Sequence, residues 1–241
     1  MMESLYIVMP AYNEEENIKE VVASWYEVLS MASEDSKLVV ADFGSKDATH
    51  EILMDMKEHG YPKIEVLETK YKEHGPKCLA LYQYAIARGA DYVFQTDSDG
   101  QTNPKEFKDF WDKRTTFDIQ IGNRTVRGDG KGRAFIEGVV VLLLKIFFGV
   151  KVPDANAPFR LMKANVLEKY LERMPEDYYL PNVMLTMYFA YYKENIHFQK
   201  ISFAPRLKGE NSIDYVSITK IGMRAIKEFY QFRKDMKKEN K

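Results

Sequence analysis

The chain has 241 residues, 45% of them apolar, enough for one large core or a core with a C-terminal extension. Its 35 Lys and Arg against 36 Asp and Glu leave a net charge of −1, without the basic excess that nucleic-acid binding calls for. A single cysteine, Cys78, excludes an internal disulfide and fits a reducing, cytoplasmic compartment.

The N-terminus carries Glu3 where a signal peptide has basic residues, so no secretory leader is expected. Residues 5–9 form the first expected strand. An amphipathic helix follows, with Asn13 as its cap and Glu16 closing an N-x-x-E box. Ile18, Val21, Val22, Trp25, Val28 and Leu29 share its apolar face. Further strands are expected at 38–41, 64–67, 92–95 and 118–122. Helices are expected from near Asp47, over 77–88, and from Asn103 with Pro104 at the first helical position. This alternation implies an α/β fold, a mainly parallel sheet with helices on both faces. Ligands of such sheets bind beyond the carboxyl ends of the strands, where residues 10–14, 42–47 and 97–101 all fall.

After Gly122 the pattern changes. A Gly/Arg/Lys-rich loop at 123–133 leads into an apolar helix at 134–148, which reads either as a buried core helix or as an interfacial one. It is short of the roughly 20 apolar residues a membrane span requires. A helix at 182–192, a strand near 198–203 and a helix over 215–233 complete the chain. Residues 220–241 hold eight Lys and Arg against three Asp and Glu. The expected organisation is one domain, with a strand–helix alternating half at 1–122 and a differently patterned half at 123–241.

Asp97-Ser98-Asp99 is the most informative stretch. Side chains alternate along an extended chain, so this pair sends two carboxylates into one crevice. Two such carboxylates repel unless a cation lies between them, and hard oxygen ligands suit Mg2+ or Mn2+ completed by substrate phosphates. Alone, D-x-D followed by Gly100 also fits an ordinary surface turn. No G-x-G-x-x-G follows the first strand, Gly128–Arg133 fails the P-loop spacing, and the four histidines (His50, His59, His74, His197) share no ligand spacing and read as surface or turn residues.

Three segments, taken in order, resemble the family 2 inverting glycosyltransferases of the GT-A fold. They are Pro10-Ala11-Tyr12-Asn13-Glu14, then Asp42-Phe43-Gly44-Ser45-Lys46-Asp47-Ala48-Thr49, then Asp97-Ser98-Asp99-Gly100-Gln101. Gly122-Asn123-Arg124, Arg133 and the run from Pro205 through Arg206, Lys208 and Asn211 are similar to the dolichyl- and polyprenyl-phosphate sugar transferases. The resemblance implies a UDP- or GDP-linked sugar bound by Pro10, Tyr12, Asn13, Glu14, Asp42, Ser45, Lys77, Asp97, Ser98, Gln101 and Arg124. It implies a divalent metal on Asp97, Asp99 and Gln101, and phosphate contacts from Arg133, Arg206, Lys208 and Asn211. A lipid-phosphate acceptor at the membrane surface would need no strong base; a saccharide hydroxyl would need one, and Asp154 and Asp177 are available. Asp99 and Arg206 would then be catalytic in either case. Phe43 stands where the family has a second acid, which leaves the nucleotide open. A sugar-nucleotidyltransferase would want a Gly-rich basic loop after the first strand, and a non-catalytic binding module would not need the acidic pair.

Overall fold

In the computed structural model the described residues are 2–125, 131–205 and 215–239. Seven strands form one sheet: β1 (Leu5–Ala11), β2 (Lys37–Asp42), β3 (Ile64–Leu67), β4 (Tyr92–Thr96), β5 (Ile119–Arg124), β6 (Phe159–Lys163) and β7 (Ile196–Ile201). Their order is β3-β2-β1-β4-β6-β5-β7. All pairings are parallel except those of β6, which runs antiparallel to both β4 and β5. The helices are α1 (Ile18–Val28), α2 (Thr49–Glu58), α3 (His74–Ala87), α4 (Phe107–Asp112), α5 (Lys131–Phe148), α6 (Ala164–Leu171), α7 (Pro181–Tyr191) and α8 (Tyr215–Glu239).

β1 shows why the strands read as continuous apolar runs. Tyr6 and Val8 pack with α3, α6 and α7 residues on one side of the sheet. Leu5, Ile7 and Met9 pack with Trp25, Leu53 and Phe107 on the other. Both faces are covered, so no alternation with polar residues survives. Trp25 is the hub of the second face, with ring centroids 5.1 Å from Phe94, 6.3 Å from Phe107 and 5.9 Å from Phe159.

Several sequence expectations need correction. Asn13 does not cap α1: the helix begins at Ile18, and Asn13 takes a left-handed backbone conformation, φ 53°, which asparagine tolerates. The turn starts instead at Glu14, whose carbonyl accepts from the N–H groups of Asn17 and Ile18. Asn103 does accept from Lys105 N, at 3.1 Å, but the first turn after it is 3₁₀ before α4 begins. α3 starts three residues early, and β7 ends at Ile201. β6 and α6 were not foreseen. In β6, Arg160 is fully buried and donates to the carbonyls of Ala155, Ala157 and Asn182. Those acceptors offset the desolvation of a guanidinium, which otherwise disfavours its charged form.

α5 settles between its two readings as a helix with two faces. Leu144 and Phe148 are buried, and Phe147 and Phe148 meet Phe229 of α8. Phe135, Val139, Leu142 and Ile146 form an exposed stripe, and Ile226 and Tyr230 of α8 are exposed as well. Among the described residues, no helix is long and apolar enough to cross a membrane.

Candidate active site

Three loops leave the carboxyl ends of adjacent strands β2, β1 and β4 and meet. The β1 and β2 loops are stitched together by their own polar side chains. Asn13 N donates to Ser45 Oγ at 3.0 Å, while Asn13 Oδ1 accepts from Lys46 N at 2.8 Å. Glu14 N donates to Thr49 Oγ1 at 2.8 Å, and Glu15 N to an Asp47 carboxylate oxygen at 3.0 Å. Burial raises the Asp47 pKa, but donors from Thr49 and Glu15 N lower it by more, so the carboxylate is held ionised. The P-x-Y-N-E and D-x-G-S-x-D-x-T segments therefore form one rigid rim.

Inside this rim Asp42 is buried and accepts from the Ser45 hydroxyl, with His50 Nδ1 3.4 Å from its other oxygen. Phe43 beside it is exposed. Lys77 is buried, donates to the Ala11 carbonyl, and has its pKa pulled down to about 8 by desolvation, against the opposing pull of Asp42. Tyr12 lies under two ammonium groups, Lys72 at 5.0 Å and Lys77 at 5.4 Å from the ring centroid. Glu14 is buried, accepting from Asn17 Nδ2 at 2.9 Å. A flat ring, a buried carboxylate and a cation thus line the strand ends where a nucleotide would lie.

Ser98 is buried and turns towards β1, donating to the Pro10 carbonyl at 2.9 Å. Its neighbours Asp97 and Asp99 are half-buried. Asp97 Oδ1 receives Gln95 Nε2 at 2.9 Å and lies 3.0 Å from His74 Nε2. Neither contact uses Oδ2. Asp99 Oδ1 accepts from Gln101 N at 3.1 Å, across the left-handed turn that Gly100 makes at φ 73°. Among the described residues no group of three His, Cys, Asp or Glu side chains could hold a metal alone. The donor set is two carboxylates, which fits Mg2+ or Mn2+ taking the rest of its shell from diphosphate and water. Gln101 is buried, and its amide nitrogen donates to the Ala204 carbonyl at 2.6 Å, with Ala204 N returned to Gln101 O at 2.9 Å. It fastens the segment after β7 to the acidic turn.

Arg124, at the end of β5, is buried against Asp154. Its Nε and Nη2 reach the two carboxylate oxygens at 2.7 and 2.8 Å, Glu137 of α5 lies 3.5 Å from Nη2, and Phe203 stacks 5.1 Å from the guanidinium. Offered by the sequence as a base, Asp154 is instead the counter-ion of an arginine, only 2% exposed. Asp177 is exposed in the loop before α7, a loop whose Tyr178 and Tyr179 carbonyls crowd Gly75 at the start of α3. Arg206, Lys208 and Asn211 lie outside the described residues, as does the side chain of Arg133 on the first turn of α5.

Sequence reasoning missed His74, Lys72, Gln95 and Asn182. His74 was read as a surface or turn residue, and it touches Asp97. Its only signal was its position three residues before Lys77, which the resemblance places in the donor site. Desolvation lowers the His74 pKa, but Cys78 and Asp97 raise it by more, so the net shift is upward.

The glycosyl transferase family 2 model matches residues 6–171, from β1 to the last residue of α6, and spans the loops after β1, β2 and β4. The chain belongs to glycosyl transferase family 2. Within that family it is 26% identical over 233 residues to undecaprenyl-phosphate mannosyltransferase of Micrococcus luteus, covering 90% of this chain and 93% of that one. It is 26% identical over 170 residues to polyprenol monophosphomannose synthase of Mycolicibacterium smegmatis, covering 68% of this chain and 63% of that one. Among solved structures it resembles glucosyl-3-phosphoglycerate synthase of Mycobacterium tuberculosis in complex with Mn2+, UDP and glucosyl-3-phosphoglycerate. That match has a TM-score of 0.67 and 17% identity over 96% of this chain and 80% of the other. TarS of S. aureus in complex with UDP matches with a TM-score of 0.58 and 20% identity, over 84% and 59% of the two chains. These solved neighbours share the GT-A fold seen here, and the chain is a glycosyltransferase of that fold.

Proposed function

We propose that this enzyme is an inverting, metal-dependent transferase that moves a hexose from a UDP- or GDP-linked sugar to a polyprenyl phosphate at a membrane surface. The observation that carries the donor half is the Asp97/Asp99 pair, set beside the rim that holds Tyr12, Asp42 and Lys77. A phosphate oxygen of the acceptor attacks the anomeric carbon from the face opposite the diphosphate. The new C–O bond forms as the sugar–diphosphate C–O bond breaks, and the nucleoside diphosphate leaves with the electron pair. A divalent metal on Asp97 and Asp99 would supply charge neutralisation for that leaving group.

The acceptor assignment is supported by the near full-length similarity to the M. luteus protein, whose name carries an undecaprenyl phosphate acceptor. It is also supported by Asp154, whose carboxylate is tied up with Arg124 and poorly placed to act as a base. A lipid phosphate is already anionic near neutral pH and needs no proton removed. The second reading, transfer to a saccharide hydroxyl, is favoured by the exposure of Asp177 beside the α3 N-terminus. Transfer measured from UDP- and GDP-sugars to polyprenyl phosphate and to saccharides separates the two. With polyprenyl phosphate, Arg206→Ala is expected to cut turnover on the order of 100-fold, and Asp177→Asn to leave it nearly unchanged. The reverse ranking, or activity on saccharides alone, overturns the lipid-phosphate acceptor.

Membrane association follows from the same reading. The exposed stripe of α5 has 73% of Phe135 and 60% of Ile146 in solvent, and packs beside α8 with its basic residues. Such a surface binds anionic headgroups and inserts apolar side chains shallowly. Anionic vesicles are expected to pellet the protein at low salt and release part of it as salt rises. Phe135→Ser with Ile146→Ser should weaken the retention. Equal recovery in the supernatant with anionic and neutral vesicles would sink the idea.

A further inference from the structure

A row of buried side chains connects the core to the acidic pair. Tyr82 of α3 donates its hydroxyl to Asn182 Oδ1 at 2.6 Å. Asn182 Nδ2 donates to Gln95 Oε1 at 3.0 Å, and Gln95 Nε2 donates to Asp97 Oδ1 at 2.9 Å. All three relay residues are almost fully inaccessible to solvent. The backbone of Asn182 is itself pinned, its carbonyl accepting from Arg160 Nη1 at 3.0 Å and from Thr186 Oγ1 at 2.8 Å.

The direction of the row is dictated by its end. An ionised carboxylate only accepts, so the nitrogen of Gln95 must face Asp97 and its oxygen must face Asn182. The same logic turns the Asn182 oxygen to the Tyr82 hydroxyl. Each amide is locked in one orientation, and no member can rotate without leaving a buried polar atom unpaired. With Oδ1 committed to Gln95 and His74, the Asp97 carboxylate has one oxygen, Oδ2, outside both contacts.

We propose that Gln95, oriented by Asn182 and Tyr82, is a positioning residue that fixes Asp97 as a one-oxygen ligand for the divalent metal. This rests on the metal reading given above. Partners that hydrogen-bond a ligating group typically change metal affinity by about 10- to 100-fold when removed. A relay serving only to glue α7 to β4 would change stability and leave metal affinity alone.

The test titrates Mn2+ into the whole protein with excess UDP or GDP, following free Mn2+ by its electron paramagnetic resonance signal, with thermal unfolding measured in parallel. Gln95→Met, close in shape and lacking the donor, is expected to weaken Mn2+ binding by about 10-fold or more. Asn182→Leu, one step back, should weaken it less, and Tyr82→Phe least. Should Gln95→Met fail to fold, the Asn182→Leu and Tyr82→Phe pair still carries the graded expectation. If the wild type binds Mn2+ and the folded variants bind it within about twofold of wild type, the relay is packing only and the proposal falls. If the wild type itself binds no Mn2+ with either nucleotide, the metal reading fails, and this inference with it.

Discussion

Asp99→Asn is expected to reduce sugar transfer by roughly two to three orders of magnitude while leaving the thermal unfolding midpoint nearly unchanged. The asymmetry between the two acids makes Asp99 the better probe. Asp97 bonds the core through Gln95 and stands against His74, so its replacement disturbs packing as well as chemistry. Asp99 has one oxygen turned to the Gln101 N–H inside its own turn, a bond that an asparagine carbonyl can keep. What asparagine loses is charge, and charge is what a divalent ion needs. Turnover near that of the wild type would remove the acidic pair from the reaction. A fall in the unfolding midpoint matching the fall in activity would make Asp99 structural.

The second large effect concerns stability. Asp154→Ala leaves the Arg124 guanidinium buried with Glu137 3.5 Å from its Nη2. Removing one partner of a buried ion pair costs about 3–5 kcal/mol. For a chain of this length that corresponds to a midpoint lowered by about 10 °C, at roughly 2–4 °C per kcal/mol. An exposed position such as Asp177 should show almost none of this. The same variants bear on catalysis. Were Asp154 the base, Asp154→Asn would keep the fold, lose turnover and flatten the acidic limb of the pH–rate profile. The expected outcome is that activity falls only as far as folded protein is lost.

The parts of the site legible in the sequence were those whose chemistry is local. Asp42, Ser45, Asp97, Ser98 and Asp99 stand in short segments at the ends of neighbouring strands, and the strand–helix alternation puts those ends on one side of the sheet. What escaped depends on contacts distant in sequence. Asn13 carries the pattern of a helix cap, but a loop more than thirty residues away competes for its side chain and wins. Gln95 and Asn182 look like ordinary polar residues of a strand and a helix, and they meet only because α7 lies over β4. Asp154 could not be told from a base, since its arginine partner comes 30 residues earlier, at the end of another strand. The α5 helix was legible as apolar but not as two-faced, because the division of its surface depends on where α8 packs.

The reversed strand β6 also bears on how the chain is synthesised. β5 pairs with β6 and β7 and is not a neighbour of β4, although it follows β4 in the chain. The first four strands can therefore align as soon as they leave the ribosome, but β4 then has a bare edge until residues 159–163 arrive. An unpaired edge of that kind, buried along its whole length in the finished fold, invites pairing with another nascent chain. A fragment ending near residue 122 carries the nucleotide rim complete and the sheet open. It should aggregate unless β6 is supplied, in the chain or as a separate peptide.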